Sequence, residues 1–290
     1  MEVIAQTTVN ALYASSYTAL MAVGLALIFG VMGIINFAHG NLFMVGAYAV
    51  WWLYAVNGWP FFLAVAGAIM VVGAIGLLME RMLFRPMRDN PLGGLIMSVG
   101  VLFILEVLAV FFGLGLMKHV PPIYPGSVVI FGIPGATIPW QRLVVIGAAV
   151  LLLGTLWAFL RQTRLGWALR ACAQDREAAA LQGIPINKFA LLAMGLGAAL
   201  AGAAGGVMAP IVQVDPYIGH KMIVTAFIVI IVGGIGSLEG AVLAAILYAF
   251  FHTWVTTYIG GGIATTLGLV LMLVVLVVRP TGLLGTAERG

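Results

Sequence analysis

A single cysteine, Cys172, excludes an internal disulfide and any cysteine-based metal site in this 290-residue chain. Lying in a polar stretch, it reads as an ordinary surface thiol. Charge is equally scarce: 8% of residues are Asp, Glu, Lys or Arg, against 63% hydrophobic. That balance excludes a soluble globular domain. It gives no nucleic-acid interface either, because the 13 basic residues are spread through loops rather than gathered in one patch. No Lys follows a Gly, so the phosphate-binding loop G-x-x-x-x-G-K-[ST] is missing. Neither H-E-x-x-H nor G-x-S-x-G occurs, and His39, His119, His220 and His252 lie too far apart in sequence to suggest a metal site. No catalytic residue, metal site or cofactor is assigned to this chain. The N-terminus lacks the basic region of a cleavable signal peptide, so the first apolar run is expected to remain as a membrane helix.

What is present is lipid-seeking sequence. Apolar stretches near 8–31, 41–57, 60–79, 92–116, 142–160, 189–212, 222–235, 240–259 and 262–278 are long enough to cross, or nearly cross, a bilayer core. The expected fold is an all-α polytopic membrane protein with eight or nine transmembrane helices. The short stretch 222–235 is either a span or half of a broken helix. Three loops carry the basic residues: Arg81, Arg85 and Arg88 in 80–91, five residues in 161–188, and Arg279 and Arg289 in the tail. If these face the cytoplasm, ten of the 13 basic residues are inside, and Lys118, Arg142 and Lys221 are outside. The positive-inside rule then places the N-terminus outside and the C-terminus in the cytoplasm.

The longest polar run, 161–188, contains Arg161, Arg164, Arg170, Arg176 and Lys188. From Trp167 to Gln182 it has neither Gly nor Pro, which predicts a short surface helix reaching from Gly166 to Gly183. Asp175 is a candidate N-cap, Glu177 a first-turn carboxylate, and Gly183 with Pro185 the stop. The other long loop, 117–141, has five prolines that forbid a helix; SVVIFG and ATIP around Ile133-Pro134-Gly135 read as a small hairpin. This loop is either a lid or landing surface, or a solvated connector.

Within the spans, Ala193, Gly197, Ala201, Gly205 and Ala209 recur every fourth residue, the small-residue stripe of tightly packed membrane helices. Tight packing alone accounts for it; a place at the bundle centre beside a path is the functional alternative. Two Gly-interrupted stretches, 33–40 and 234–240, each pair a capping side chain (Asn36, Ser237) with an ionisable one (His39, Glu239). They read as a weak parallel repeat, forming either helix starts able to hold an anionic group or capped turns at the surface. Glu106 lies amid an apolar run, where it must face the bundle interior, a cavity or a partner subunit, or be protonated. It either lines a path or makes a structural hydrogen bond or subunit contact.

The stretches GLALIFGVMGIINFAHGNLFMVGAY, GWALRACAQDREAAALQGIPINK, VVGGIGSLEGAVLAA and RPTGLLG resemble the LivH-type permeases of branched-chain amino acid ABC importers, nearly end to end. The resemblance implies a single permease domain over 1–290, with a cytoplasmic coupling loop at 161–188 and a periplasmic loop at 117–141, in a bacterial inner membrane. It implies Arg170, Glu177, Ala178 and Gly183 as coupling positions against the ATPases. It also implies Asn36, His39, Gly40, Gly234, Gly236 and Ser237 as broken-helix elements near the translocation pathway, to which Glu106 is added by its place in the membrane. The implied partners are a second LivH- or LivM-like permease, two cytoplasmic ATPases that bind ATP and Mg, a periplasmic solute-binding protein and membrane lipid. The solutes implied are branched-chain amino acids or other small polar molecules. The rival reading is a self-sufficient channel or ion-coupled transporter, with Glu106 and His39 as coupling groups.

Overall fold

The computed structural model describes residues 2–88, 90–113, 115–129 and 136–285. Its helices are α1 (Glu2–Met32), α2 (His39–Val50, continued by a π turn Trp51–Val56), α3 (Phe61–Met79), α4 (Pro91–Gly113), α5 (Trp140–Gln162), α6 (Arg164–Gln174), α7 (Arg176–Leu181), α8 (Ile186–Met208), α9 (Ile218–Gly233), α10 (Leu238–Tyr258) and α11 (Gly261–Val278). Among the described residues seven helices are long and apolar enough to cross a membrane: α1, α3, α4, α5, α8, α10 and α11. The short apolar α9 and the equally interrupted α2 complete the bundle. This is a polytopic all-α membrane fold.

Helices α1 and α8 form its axis, with 83% and 78% of their apolar windows buried, whereas no other span exceeds 33%. The small-residue stripe explains how. A Cβ added at Gly197 would sit 2.6 Å from the Gly24 carbonyl of α1, and one at Gly202 would sit 2.6 Å from Val72 of α3. Gly205 presses on the Phe43 carbonyl of α2. Helices α1 and α2 therefore approach α8 backbone to backbone and α3 packs a valine side chain on it, which dispersion favours in lipid, where apolar side chains gain little from one another.

The charged ends sort to one end of the bundle. Arg176 of α7 donates to the Met32 carbonyl closing α1, Arg88 bonds Asn187 at the start of α8, and Arg161 pairs with Glu239 at the start of α10. The C-terminal turn joins them through Leu283 N–H on the Val232 carbonyl. Glu80, fully buried, is held between Arg85 at 3.0 Å and Arg88 at 2.5 Å. At the opposite end a two-stranded hairpin, β1 (Ser127–Val129) antiparallel to β2 (Thr137–Pro139), meets the expected position, with Ile133–Gly135 outside the described residues. Thr137 N–H donates to Gln6, and Lys118 bridges Val214, so this loop is tied down on both sides.

Two expectations for the polar run fail. The single helix from Gly166 to Gly183 is two, α6 and α7, because Asp175 takes an extended conformation (φ −157°, ψ 107°) and ends one helix while capping the next. Its carboxylate accepts from Ala178 N–H at 2.8 Å, an Asp preference that competes with continuing the helix. Cys172 is buried, since Gly166, Leu169 and Cys172 share the face of α6 turned to the bundle. Burial pushes its thiol above the ordinary pKa.

Candidate functional site

The residues 33–38 leave α1 through Gly33 (φ +66°) and turn back into the bundle. Their backbone is supported there: Phe37 N–H donates to Ser98 Oγ of α4 at 3.1 Å, and Ala38 N–H to the Asn36 carboxamide at 3.1 Å. Asn36 is therefore the turn-former before α2 rather than its cap, because Ala38 occupies the cap position. His39, fully buried, places Nε2 3.1 Å from the Met21 carbonyl. Met21 lies 11 residues before the end of α1, so α2 begins about 16 Å into the bundle at 1.5 Å per residue. Non-helical backbone at such depth is tolerated only where protein buries and satisfies it.

The second short helix begins nearby from the other side. The chain passes Val214 at the hairpin end, then starts α9 at Ile218, and Gly219 packs on Gly40 so closely that a Cβ would lie 2.9 Å from the Gly40 carbonyl. Helices α2 and α9 thus start back to back at depth and run to opposite ends of the bundle. The polar side chains gather at this junction. Asn41 Nδ2 donates to the Leu102 carbonyl at 2.7 Å and to Glu106 at 3.4 Å, and His220 Nε2 donates to Glu106 Oε1 at 2.6 Å. Glu106 is buried, while the His220 side chain is 49% exposed and stacks on Tyr217. Asn41 Oδ1 and His39 Nδ1 are buried without a hydrogen-bond partner.

The expected pathway residues therefore divide. Asn36, His39, Gly40 and Glu106 come together around this junction. Gly234, Gly236 and Ser237 do not: they form a tight turn at the basic end, where Gly234 abuts the C-terminal turn and Gly236 faces Gly30 of α1. Ser237 caps α10 by accepting from Gly240 N–H at 3.0 Å. The two Gly-interrupted stretches are thus not structurally equivalent; the partner of 33–40 is the start of α9. Sequence reasoning missed Asn41 and His220. The helical period of α9 and its Gly219-His220-Lys221 start were the only signals for His220, and neither named Glu106 as its partner.

At the basic end, Arg170, Glu177, Ala178 and Gly183 are all exposed, and Ala179 is the buried residue of α7 below them. Gly183 takes φ +80° and closes the helix with its N–H on the Ala180 carbonyl. Leu181, 87% exposed, adds an apolar knob that the polar character of the run concealed.

Comparison with known proteins fits this architecture. The family model described as "Branched-chain amino acid transport system / permease component" matches residues 7–279. The high-affinity branched-chain amino acid transport system permease protein BraD of Pseudomonas aeruginosa is 33% identical, over 98% of this chain and 96% of its own. LivH of Escherichia coli, with the same description, is 31% identical over the same shares. A probable LivH of Methanocaldococcus jannaschii is 27% identical over 95% and 91%. Among solved structures, PsaBC from Streptococcus pneumoniae in complex with Fab shares the fold at TM-score 0.50 and 14% identity, covering 94% of this chain and 91% of that one. The chain belongs to the family of branched-chain amino acid transport system permease components.

Proposed function

We propose that this chain is the transmembrane permease subunit of an ABC importer for branched-chain amino acids, working with a second permease, two ATPases and a solute-binding protein. The near end-to-end match to permeases of that description carries the reading. The grouping of basic residues at one bundle end supports a cytoplasmic face there by the positive-inside rule, with the hairpin end outside in the inner membrane. In this scheme the exposed face of α7, with Glu177, Ala178 and Leu181, seats on an ATPase, and Arg170 flanks it. Closure of the ATPases is passed to α1 through Arg176 on Met32 and to α3 and α8 through the Glu80–Arg88–Asn187 chain. The junction of α2 and α9 is the part of the bundle able to rearrange around a passing solute, since both helices begin there.

The test is reconstitution of the permease pair with and without the ATPases in proteoliposomes, followed by leucine uptake. Uptake that needs ATPases, ATP and loaded binding protein is the expected result. The pairing of buried Glu106 with half-exposed His220 favours one rival, an ion-coupled carrier; uptake by the permease alone, driven by a proton gradient, would establish that rival instead.

A further inference from the structure

At the basic end an open groove of about 660 Å³ runs between α1, α5, α6 and α10. Its two ends differ in chemistry. The mouth holds Arg161, Arg170 and Glu239, while the wall is built of leucines and isoleucine, among them Leu153, Leu156, Leu243 and Ile246. From Arg161 to Leu153 along α5, and from Leu238 to Ile246 along α10, the groove descends about 12 Å at 1.5 Å per residue. That depth is close to one leaflet of a hydrocarbon core about 30 Å thick. The Arg161 guanidinium lies 5.3 Å from the centroid of the exposed Trp157 ring, an aromatic at the level where headgroups begin.

We propose that this groove binds an anionic phospholipid, its phosphate between Arg161 and Arg170 and an acyl chain along Leu153, Leu156, Leu243 and Ile246. Three features select this occupant. Two arginines and one carboxylate line the mouth, leaving it net positive. The ion pair between Arg161 and Glu239, at 2.5 Å, has side chains 49% and 68% exposed, and such exposed pairs are weakly held, so Arg161 is free to turn to a phosphate. Finally, charge lies at the interface and hydrocarbon below it, the order along depth that a phospholipid presents, and basic pockets between helices at a membrane face take anionic headgroups. A protein helix from a second subunit would cover the same wall but has no need of the cationic mouth.

The test uses the assembled transporter in nanodiscs of phosphatidylcholine with graded phosphatidylglycerol, with retained lipid read by native mass spectrometry. The complex is expected to retain phosphatidylglycerol over phosphatidylcholine by about tenfold, taking each arginine as worth roughly fivefold at most and discounting for Glu239. Arg161→Gln with Arg170→Gln removes the preference, and the double Lys variant restores most of it. Leu243→Trp, which fills the wall without touching the charges, lowers retention of both lipids and serves if the Gln variant fails to assemble. Millimolar inorganic phosphate leaves the lipid in place. Equal retention of the two lipids, or displacement by inorganic phosphate, overturns the proposal. So does a photoreactive residue at Leu243 that captures a polypeptide and no lipid.

Discussion

The segments 33–40 and 234–240 each join a helix ending at the basic end to one running away from it, yet the first sinks about 16 Å into the bundle and the second stays at the rim. Chain length and partners account for the difference. A fully extended chain of six residues would reach roughly 20 Å, so residues 33–38 have the length to return towards the level of Met21 even with Phe37 and Ala38 in a turn. Residues 234–237 fold on themselves, with Gly234 at φ +106°, Gly236 at φ +83° and Ser237 N–H on the Gly234 carbonyl, so no length remains to descend. The deep segment finds Ser98 and its own Asn36 for its backbone, whereas the shallow one needs only a serine cap. A glycine beside a capping residue announces a break in a helix; it does not announce depth.

The sharpest way to break this comparison is bulk at the two glycines. Gly40→Val would drive a Cβ to 2.8 Å from the Ile223 Cβ and into the Gly219 carbonyl, and is expected to abolish assembly, read as loss of a monodisperse peak in detergent. Gly236→Val meets only Gly30 Cα, at 3.5 Å, and carries a positive-φ cost of about 1–2 kcal/mol, so it should still assemble. Equal behaviour of the two variants would mean that their depths do not differ.

Next in size is the ionisable pair beside Gly40. Glu106→Leu leaves Asn41 and His220 without their shared acceptor and is expected to cost about 2–3 kcal/mol in thermal unfolding in nanodiscs. Glu106→Gln keeps an acceptor oxygen for both and should cost about 1 kcal/mol or less. A Gln variant as damaged as the Leu variant would assign the loss to charge rather than to hydrogen bonding.

Smaller effects separate the two turn-formers. Asn36→Ala strands the buried Ala38 N–H and should cost about 1–3 kcal/mol, whereas Ser237→Ala removes a half-exposed cap for about 1 kcal/mol. Reversal of that order in denaturant titrations would contradict the burial difference. Least of all for stability is the surface of α7: Glu177→Lys with Leu181→Asp should change stability by no more than about 0.5 kcal/mol. The same double variant should abolish ATP-driven uptake, because both side chains are exposed and serve nothing within this chain. Normal uptake would remove α7 from the coupling surface.

Much of this was legible because lipid imposes rules that single residues reveal. A carboxylate within an apolar run must be paired, and Glu106 is; a four-residue spacing of Ala and Gly must meet backbone, and α8 does. Asp175 was legible as a cap but not as a break, since whether Asp ends one helix while starting another depends on where the flanking helices are anchored. Cys172 misled for a related reason: a short amphipathic helix has a buried face even within a polar run, and one cysteine does not reveal which face it occupies.

The sequence by itself determined the class of fold, the end at which positive charge gathers, the close-packing face of α8 and the family, because each follows from local composition or from residues close in the chain. The tertiary structure decided the partners at depth. Asn41, Glu106 and His220 are separated by 65 residues and more, and meet only because α2 and α9 begin against each other within the bundle at Gly40 and Gly219. Packing distances of that kind are set by helices approaching across the bundle, and no local pattern encodes which helix will arrive.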